Sequence, residues 1–362
     1  MVRILVLRRV LDRPATLGAA CGIGAAALFG LSAPFAKMLL PGSQPLVLAG
    51  LLYAGAAIVL SLARVVRGRR ASGSEPRIRS SDLPLLAAVT LTGGVLGPVL
   101  MLLGLQRVSG VAGSLLLNLE APFTMIVAVL LFGEHLSARG MRAAALIVGG
   151  GLALAWSAGG LSADLLGSGA LAAACLCWAI DNNLTQRLSL RDPIAIVQIK
   201  ASGAALGNLL LAATLGDGHV PEPPILVGAL LLGVFSYGTS ILLDVYALRL
   251  VGAAREAAYF ATAPFFGAIV AVQLLGERIG IQEAVAAVLM ALGVGLLLRE
   301  RHEHHHVHRP LVHEHVHAHD EHHQHAHDHQ VGPDEVHAHR HEHAPLEHSH
   351  PHVSDAHHRH PH

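Results

Sequence analysis

The residues of this chain with the types to do chemistry are polar and ionisable side chains set inside long apolar stretches, together with a terminal segment crowded with histidine. Glu120 stands midway along one such stretch, with Asn118 and Thr124 close by and Pro122 two residues on. Burying an ionisable group in hydrocarbon costs at least about 2.5–3.5 kcal/mol on insertion scales, so each one calls for a function or a partner. Proline lacks an N–H and frees a backbone carbonyl. A carboxylate beside such a kink suits a proton or cation relay, and the competing reading is a glutamate hydrogen-bonded to a neighbouring helix for packing. Asp181, Asn182 and Asn183 form a polar step, with Trp178 one turn before Asp181 and Thr185 one turn after. Three consecutive polar residues cover about 200° of a helix with 3.6 residues per turn, so that helix must be central or reach a cavity. Ser236, Ser240 and Asp244 recur every fourth residue as one polar stripe. Lys200 is the candidate partner of either aspartate, or a side chain that snorkels to headgroups.

The second constellation is the segment from His302 onward, which holds 25 of the 27 histidines, interleaved with Asp and Glu. Pro310-Leu311-x-His313-x-His315-x-His317 returns as Pro345-Leu346-x-His348-x-His350-x-His352. Asp320-x-His322-His323 likewise returns as Asp355-x-His357-His358, and a duplicated block with carboxylates is not a purification tag. In an extended chain His-x-His puts both imidazoles on one side. Neutral imidazole with carboxylate suits Zn, Ni, Co or Cu(II), and the lack of Cys argues against Cu(I). With so few apolar residues the tail is expected to be disordered without metal. Its two HExxH matches are chance products of histidine density, with no helix or cleft expected around them, so no enzyme is expected.

What positions these residues is a series of apolar stretches. Hydrophobic residues make up 52% of the 362-residue chain and charged residues 14%, with a mean hydropathy of +0.51. Soluble domains carry about 25% charged residues. A helix needs about 20 apolar residues to cross a bilayer. Ten stretches qualify: 17–40, 44–65, 83–106, 109–133, 141–158, 168–188, 193–215, 224–248, 252–276 and 281–298. Short links make them antiparallel helical hairpins, and strands are excluded by length and the lack of period-2 alternation.

The chain also repeats itself. Glu120-Ala121-Pro122-Phe123, running on to Gly133-Glu134, returns as Thr262-Ala263-Pro264-Phe265, running on to Gly276-Glu277. The prolines are 142 residues apart and the glutamates 143. Arg3, Arg8, Arg9 and Arg13, then Arg64 to Arg79, Arg139, Arg142, Arg187, Arg191, Arg249 and Arg255 fall in links of one parity. The positive-inside rule therefore puts both termini in the cytosol, in a cell (inner) membrane. Five spans per half is odd, so the halves must be inverted, as alternating access requires.

The paired Pro…Gly-Glu phrases and the 5+5 spans resemble the drug/metabolite transporter superfamily, in particular its EamA-type members. The likeness covers residues 17–299 and extends to the segments around Cys177–Thr185 and Ala258–Pro264. It implies a small-solute transporter, often an exporter of metabolites, without naming the cargo. The expected fold is thus an all-α integral membrane protein of ten transmembrane helices in two inverted five-helix repeats, plus the His-rich tail. The expected units are 1–16 (cytosolic), 17–158, 168–299 and 300–362.

The expected ion and substrate path is Glu120, Asn118, Asp181, Asn182, Lys200, Ser240 and Asp244. The expected metal ligands are His313, His315, His317, His322, His323, His348, His350, His352, His357 and His358. No cofactor is required. The expected partners are the lipid bilayer, a small-molecule or metal substrate and protons as coupling ion, with no nucleic acid; the oligomeric state is left open. Lys37 reads as an interfacial anchor, Glu134 and Glu277 as punctuation at helix ends, and Arg255 with Glu256 as a helix-end charge pair. Export of a divalent metal or its chelate, and a membrane-anchored metal reservoir, are the competing functions. No apolar stretch contains a histidine, which favours the metabolite.

Overall fold

The structure is a computed structural model that describes residues 14–68, 78–133, 136–157, 160–161, 164–188, 191–216, 220–251, 253–298, 303–308, 311–317, 337–343 and 346–351. Nine helical segments among them are long and apolar enough to cross a membrane. In chain order they are span one (Thr16–Gly42), two (Pro45–Val66), three (Ser80–Leu105), four (Gly110–Leu131) and five (Ala138–Ala155), then six (Leu165–Leu188), seven (Pro193–Leu215), eight (Pro223–Ala247) and ten (Ile281–Leu298). The stretch expected as span nine is helical but broken, into Ala253–Phe260 and Ala263–Leu275. Pro264 accounts for the break, since its ring clashes with the carbonyl four residues back. Its repeat mate Pro122 lies just past a 3₁₀ turn, Leu117–Leu119, at the matching place in span four.

Helix ends follow from local chemistry. Pro193 and Pro223 sit in the first turns of spans seven and eight, where no amide partner is lost. The hydroxyls of Ser109 and Ser137 cap spans four and five, accepting from Ala112 N and Gly140 N at 3.0 Å each. Spans four and nine both stop at a glycine in the left-handed region, Gly133 (φ 67°) and Gly276 (φ 65°). Among the described residues these two alone have positive φ. A Cβ would be strained there, which is why the repeated phrase ends in Gly-Glu.

The packing displays the internal symmetry. Span one packs on eight and three on six, while two packs on seven, four on nine and five on ten. Exchanging the repeats maps each of these pairs onto another of the set or onto itself, as a two-fold axis relating inverted halves demands. Large apolar side chains such as Ile58, Leu62, Leu130, Leu206 and Ile281 face outward, as lipid contact requires. The interior is filled by residues such as Leu48, Leu52, Met101, Leu102 and Met290.

Two irregular segments break the helical regularity. Thr90–Leu96 in span three and Gly233–Thr239 in span eight are π-helical, with 143 residues between equivalent positions. Each repeat thus widens its third helix at the same point.

In the tail the described backbone forms four strands: Glu303–His308, Leu311–His317, His337–His343 and Leu346–Pro351. The first pairs with the fourth and the second with the third, both antiparallel, and a single register runs through both ladders. The alternating His-x-His pattern has the period of a strand, which lets backbone pairing form without an apolar core. His322, His323, His352, His357 and His358 lie outside the described residues.

Candidate functional site

The polar residues of spans four, six and seven meet beside the π turn of span three. Lys200 Nζ donates to Asp181 Oδ2 in an ion pair whose side chains are 19% and 4% exposed. Thr185 Oγ1 donates to the other carboxylate oxygen of Asp181 at 3.2 Å. One residue along, Asn182 Nδ2 donates to Glu120 Oε1 at 2.7 Å. Asn183 Nδ2 donates to Thr124 O at 3.1 Å and to Ala179 O at 2.9 Å. The polar step on span six therefore divides its labour. Asp181 faces span seven, while Asn182 and Asn183 face span four around the Pro122 kink.

The π turn closes the other side. A π turn shifts the hydrogen-bond ladder and leaves a carbonyl free for other donors. Here Gly93 O accepts from Tyr53 Oη at 2.9 Å and from Trp178 Nε1 at 3.1 Å. Asn208 Nδ2 donates to the next carbonyl, Gly94 O, at 3.0 Å. A Cβ on Gly93 would come within 2.8 Å of Asp181 Cβ, so glycine is what lets span six bring its carboxylate in. Tyr53 joins this polar layer to an aromatic one. Its ring centroid lies 5.5 Å from that of Tyr237, which lies 6.0 Å from Phe29, itself 5.1 Å from Phe260. The oxygens of Ser114 and Ser236 are buried without hydrogen-bond partners, and the Tyr237 hydroxyl is buried against that of Ser32. Ser236 and Tyr237 stand in the second π turn, at the positions equivalent to Gly93 and Gly94.

Of the expected path, Glu120, Asp181, Asn182 and Lys200 come together. Asn118 turns away, donating to Leu115 O at 3.2 Å and approaching Met290 Sδ at 3.8 Å. Ser240 is buried and donates to Ala25 O at 2.9 Å, joining spans eight and one. Asp244 meets Glu256 of span nine through a side-chain hydrogen bond rather than Lys200. The expected interfacial anchor, Lys37, instead donates to Leu105 O and Val108 O. Sequence reasoning missed Tyr53, Tyr237 and Glu256. Among the described side chains no group of three His, Cys, Asp or Glu is placed to hold a metal ion. The tail side chains lie outside that set.

The architecture and the duplicated broken helices agree with the comparisons. The EamA-like transporter family profile matches twice, over residues 16–156 and 165–299, once for each repeat. The chain belongs to the EamA-like transporter family. This EamA-like transporter is 32% identical to an uncharacterized transporter of Methanothermobacter thermautotrophicus, over 75% of this chain and 83% of that one. A solved crystal structure shares its fold with a TM-score of 0.59 at 18% identity, covering 77% of this chain and 94% of its own. Within the family fold, the buried ion pair and the Glu120–Asn182 bond form a polar layer that crosses from one repeat to the other.

Proposed function

We propose that the chain is a secondary carrier that exports a small polar metabolite from the cytosol, handled at Glu120, Asp181, Asn182 and Lys200. The observation that carries this reading is the ion pair of Asp181 with Lys200, lying beside the Glu120–Asn182 bond and against a π-helical turn. An anionic group on the cargo takes over Lys200 from Asp181. A cationic or donor group is received by the carboxylates. Each exchange swaps one charge-assisted contact for another, so neither partner is left bare in a low dielectric. The unpartnered hydroxyl of Ser236 supplies a further hydrogen bond on the side of the second repeat. Protons are the coupling ion in this reading, taken by carboxyl groups inside the bundle. The arginine parity of the links supports an inner-membrane orientation with both ends in the cytosol.

The tail forms the second part of the proposal. Residues 300–362 bind Zn, Ni or Co on the cytosolic side, and support comes from the strand register. His313 is the backbone partner of His341, His315 of His339 and His317 of His337. His304 and His306 likewise stand opposite His350 and His348. Residues directly opposite in an antiparallel pair share a face, with Cβ atoms about 4.5–5.5 Å apart. That spacing suits shared ligation of one ion.

The test compares the solutes released by a deletion strain with and without the restored gene. A solute that leaves the cell only when the gene is present supports the proposal. Unchanged release across metabolites, together with altered cellular metal content, transfers support to metal export.

A further inference from the structure

The opposite repeat holds the start of span three at one end of the bundle and the turn into span four at the other. At the finish of span three the chain makes a turn, residues 106–109, before span four begins at Gly110. Lys37 of span one reaches across the carbonyl end, donating to Leu105 O at 2.7 Å and to Val108 O at 2.5 Å. Glu277 of the second repeat takes the amide end, accepting from Gly110 N at 2.7 Å and Val111 N at 2.8 Å. A cation on helix carbonyls and an anion on helix amides each match the local dipole. The two side chains attract one another across the same turn. A Cβ at Gly110 would press on Leu275 Cδ1 at 2.5 Å and crowd Ala271 Cβ at 3.2 Å and Glu277 Oε1 at 3.3 Å.

At the start of span three, Arg191 of the second repeat grips Asp82, with Nε–Oδ2 at 2.7 Å and Nη2–Oδ1 at 3.3 Å. Beneath this pair Leu86 and Val89 of span three pack on Leu188 and Ile196 of the second repeat. The middle of the same helix carries the π turn that receives Asp181. The first repeat is thus fastened to the second on either side of the polar layer, at the start of span three and at the start of span four.

We propose that the Glu277 cap on the amides of Gly110 and Val111, with Lys37 on the carbonyls of the same turn, and the Asp82–Arg191 pair are the two gate latches of the carrier, each closing one end of the path and released in turn. Repeats that rock about the polar layer must separate at one end while staying closed at the other. Each is a polar tie across the repeat boundary, one at the start of span three and one at the start of span four. The inference rests on the carrier reading, not on the identity of the cargo.

The test uses the full-length chain with Cys21, Cys175 and Cys177 replaced by Ala and a reporter Ser236→Cys. A membrane-impermeant maleimide is applied from either side, without cargo. Glu277→Gln should speed labelling at least about tenfold from the side of residue 277, in keeping with the loss of hydrogen bonds to a charged group. Asp82→Asn should do the same from the opposite side. Lys37→Met leaves the Glu277 cap in place and must give the same sided gain as Glu277→Gln, so a Glu277 variant that misfolds does not rescue the proposal. Unchanged rates, or equal gains from both sides, overturn it. Because no cargo is present, that failure leaves the metabolite reading standing, and a metabolite failure leaves the labelling result intact.

Discussion

Asp181 and Lys200, nineteen residues apart on successive spans, close a buried ion pair against the π-helical turn of span three. Removing one partner strands the other charge in a low dielectric, at a cost of about 3–5 kcal/mol. Removing both leaves no bare charge. The purified Asp181→Asn variant should therefore melt well below the parent, and Asp181→Asn/Lys200→Met should recover most of that loss. Additive losses in thermal stability would show that the two residues do not act as a pair.

Gly93 lies where a side chain would press on Asp181. Gly93→Ala should cost about 1–3 kcal/mol, as overpacking of a filled interior does. Gly149 has nothing within 4 Å of its missing Cβ, so Gly149→Ala should be near neutral. Thermal unfolding in detergent separates the two, and equal losses would contradict the packing account.

The membrane architecture was legible because burial in lipid imposes length and apolarity on every span. The repeated Pro…Gly-Glu phrase carried the symmetry, since Gly133 and Gly276 must adopt the same left-handed turn. The core of the site was legible too, because Glu120, Asp181 and Lys200 are conspicuous where hydrocarbon surrounds them. The π turns were not. A shift from four-residue to five-residue hydrogen bonding leaves no periodic trace in seven residues such as Thr90–Leu96. Lys37 and Glu277 were misread because their partners are backbone groups of other segments, which carry no side-chain signature. Glu256 was assigned to its neighbour Arg255, whereas the fold brings it to Asp244 from another helix.

The orientation is tested by thiol accessibility in intact cells. Val220, 71% exposed, lies in the link between spans seven and eight. Ser80 lies at the opposite end of the bundle, at the start of span three. In a cysteine-free background Val220→Cys should label with an impermeant reagent and Ser80→Cys should not. The reverse pattern would place both termini outside.

The tail should bind several divalent ions at neutral pH in the full-length protein, and truncation after Arg301 should remove that binding without unfolding the helices. The imidazole lone pair is free above its pKa near 6.5 and lost on protonation, so affinity is present at pH 7 and falls as the pH drops below about 6. Calorimetry with Zn, Ni and Co on the two proteins reads both effects. Equal binding by the truncated chain would move the metal site into the helical body.

Glu120 separates a polar layer that handles cargo from one that merely packs the bundle. Glu120→Gln keeps the shape of the side chain and still accepts the bond from Asn182, but removes the charge and the proton-binding group. Restored to a deletion strain at equal membrane levels, the parent chain should bring back release of the missing solute, and Glu120→Gln should lower that release at least about a hundredfold, in line with the loss of a positioned acid–base group. Full release through Glu120→Gln would contradict the account and leave Glu120 a packing residue.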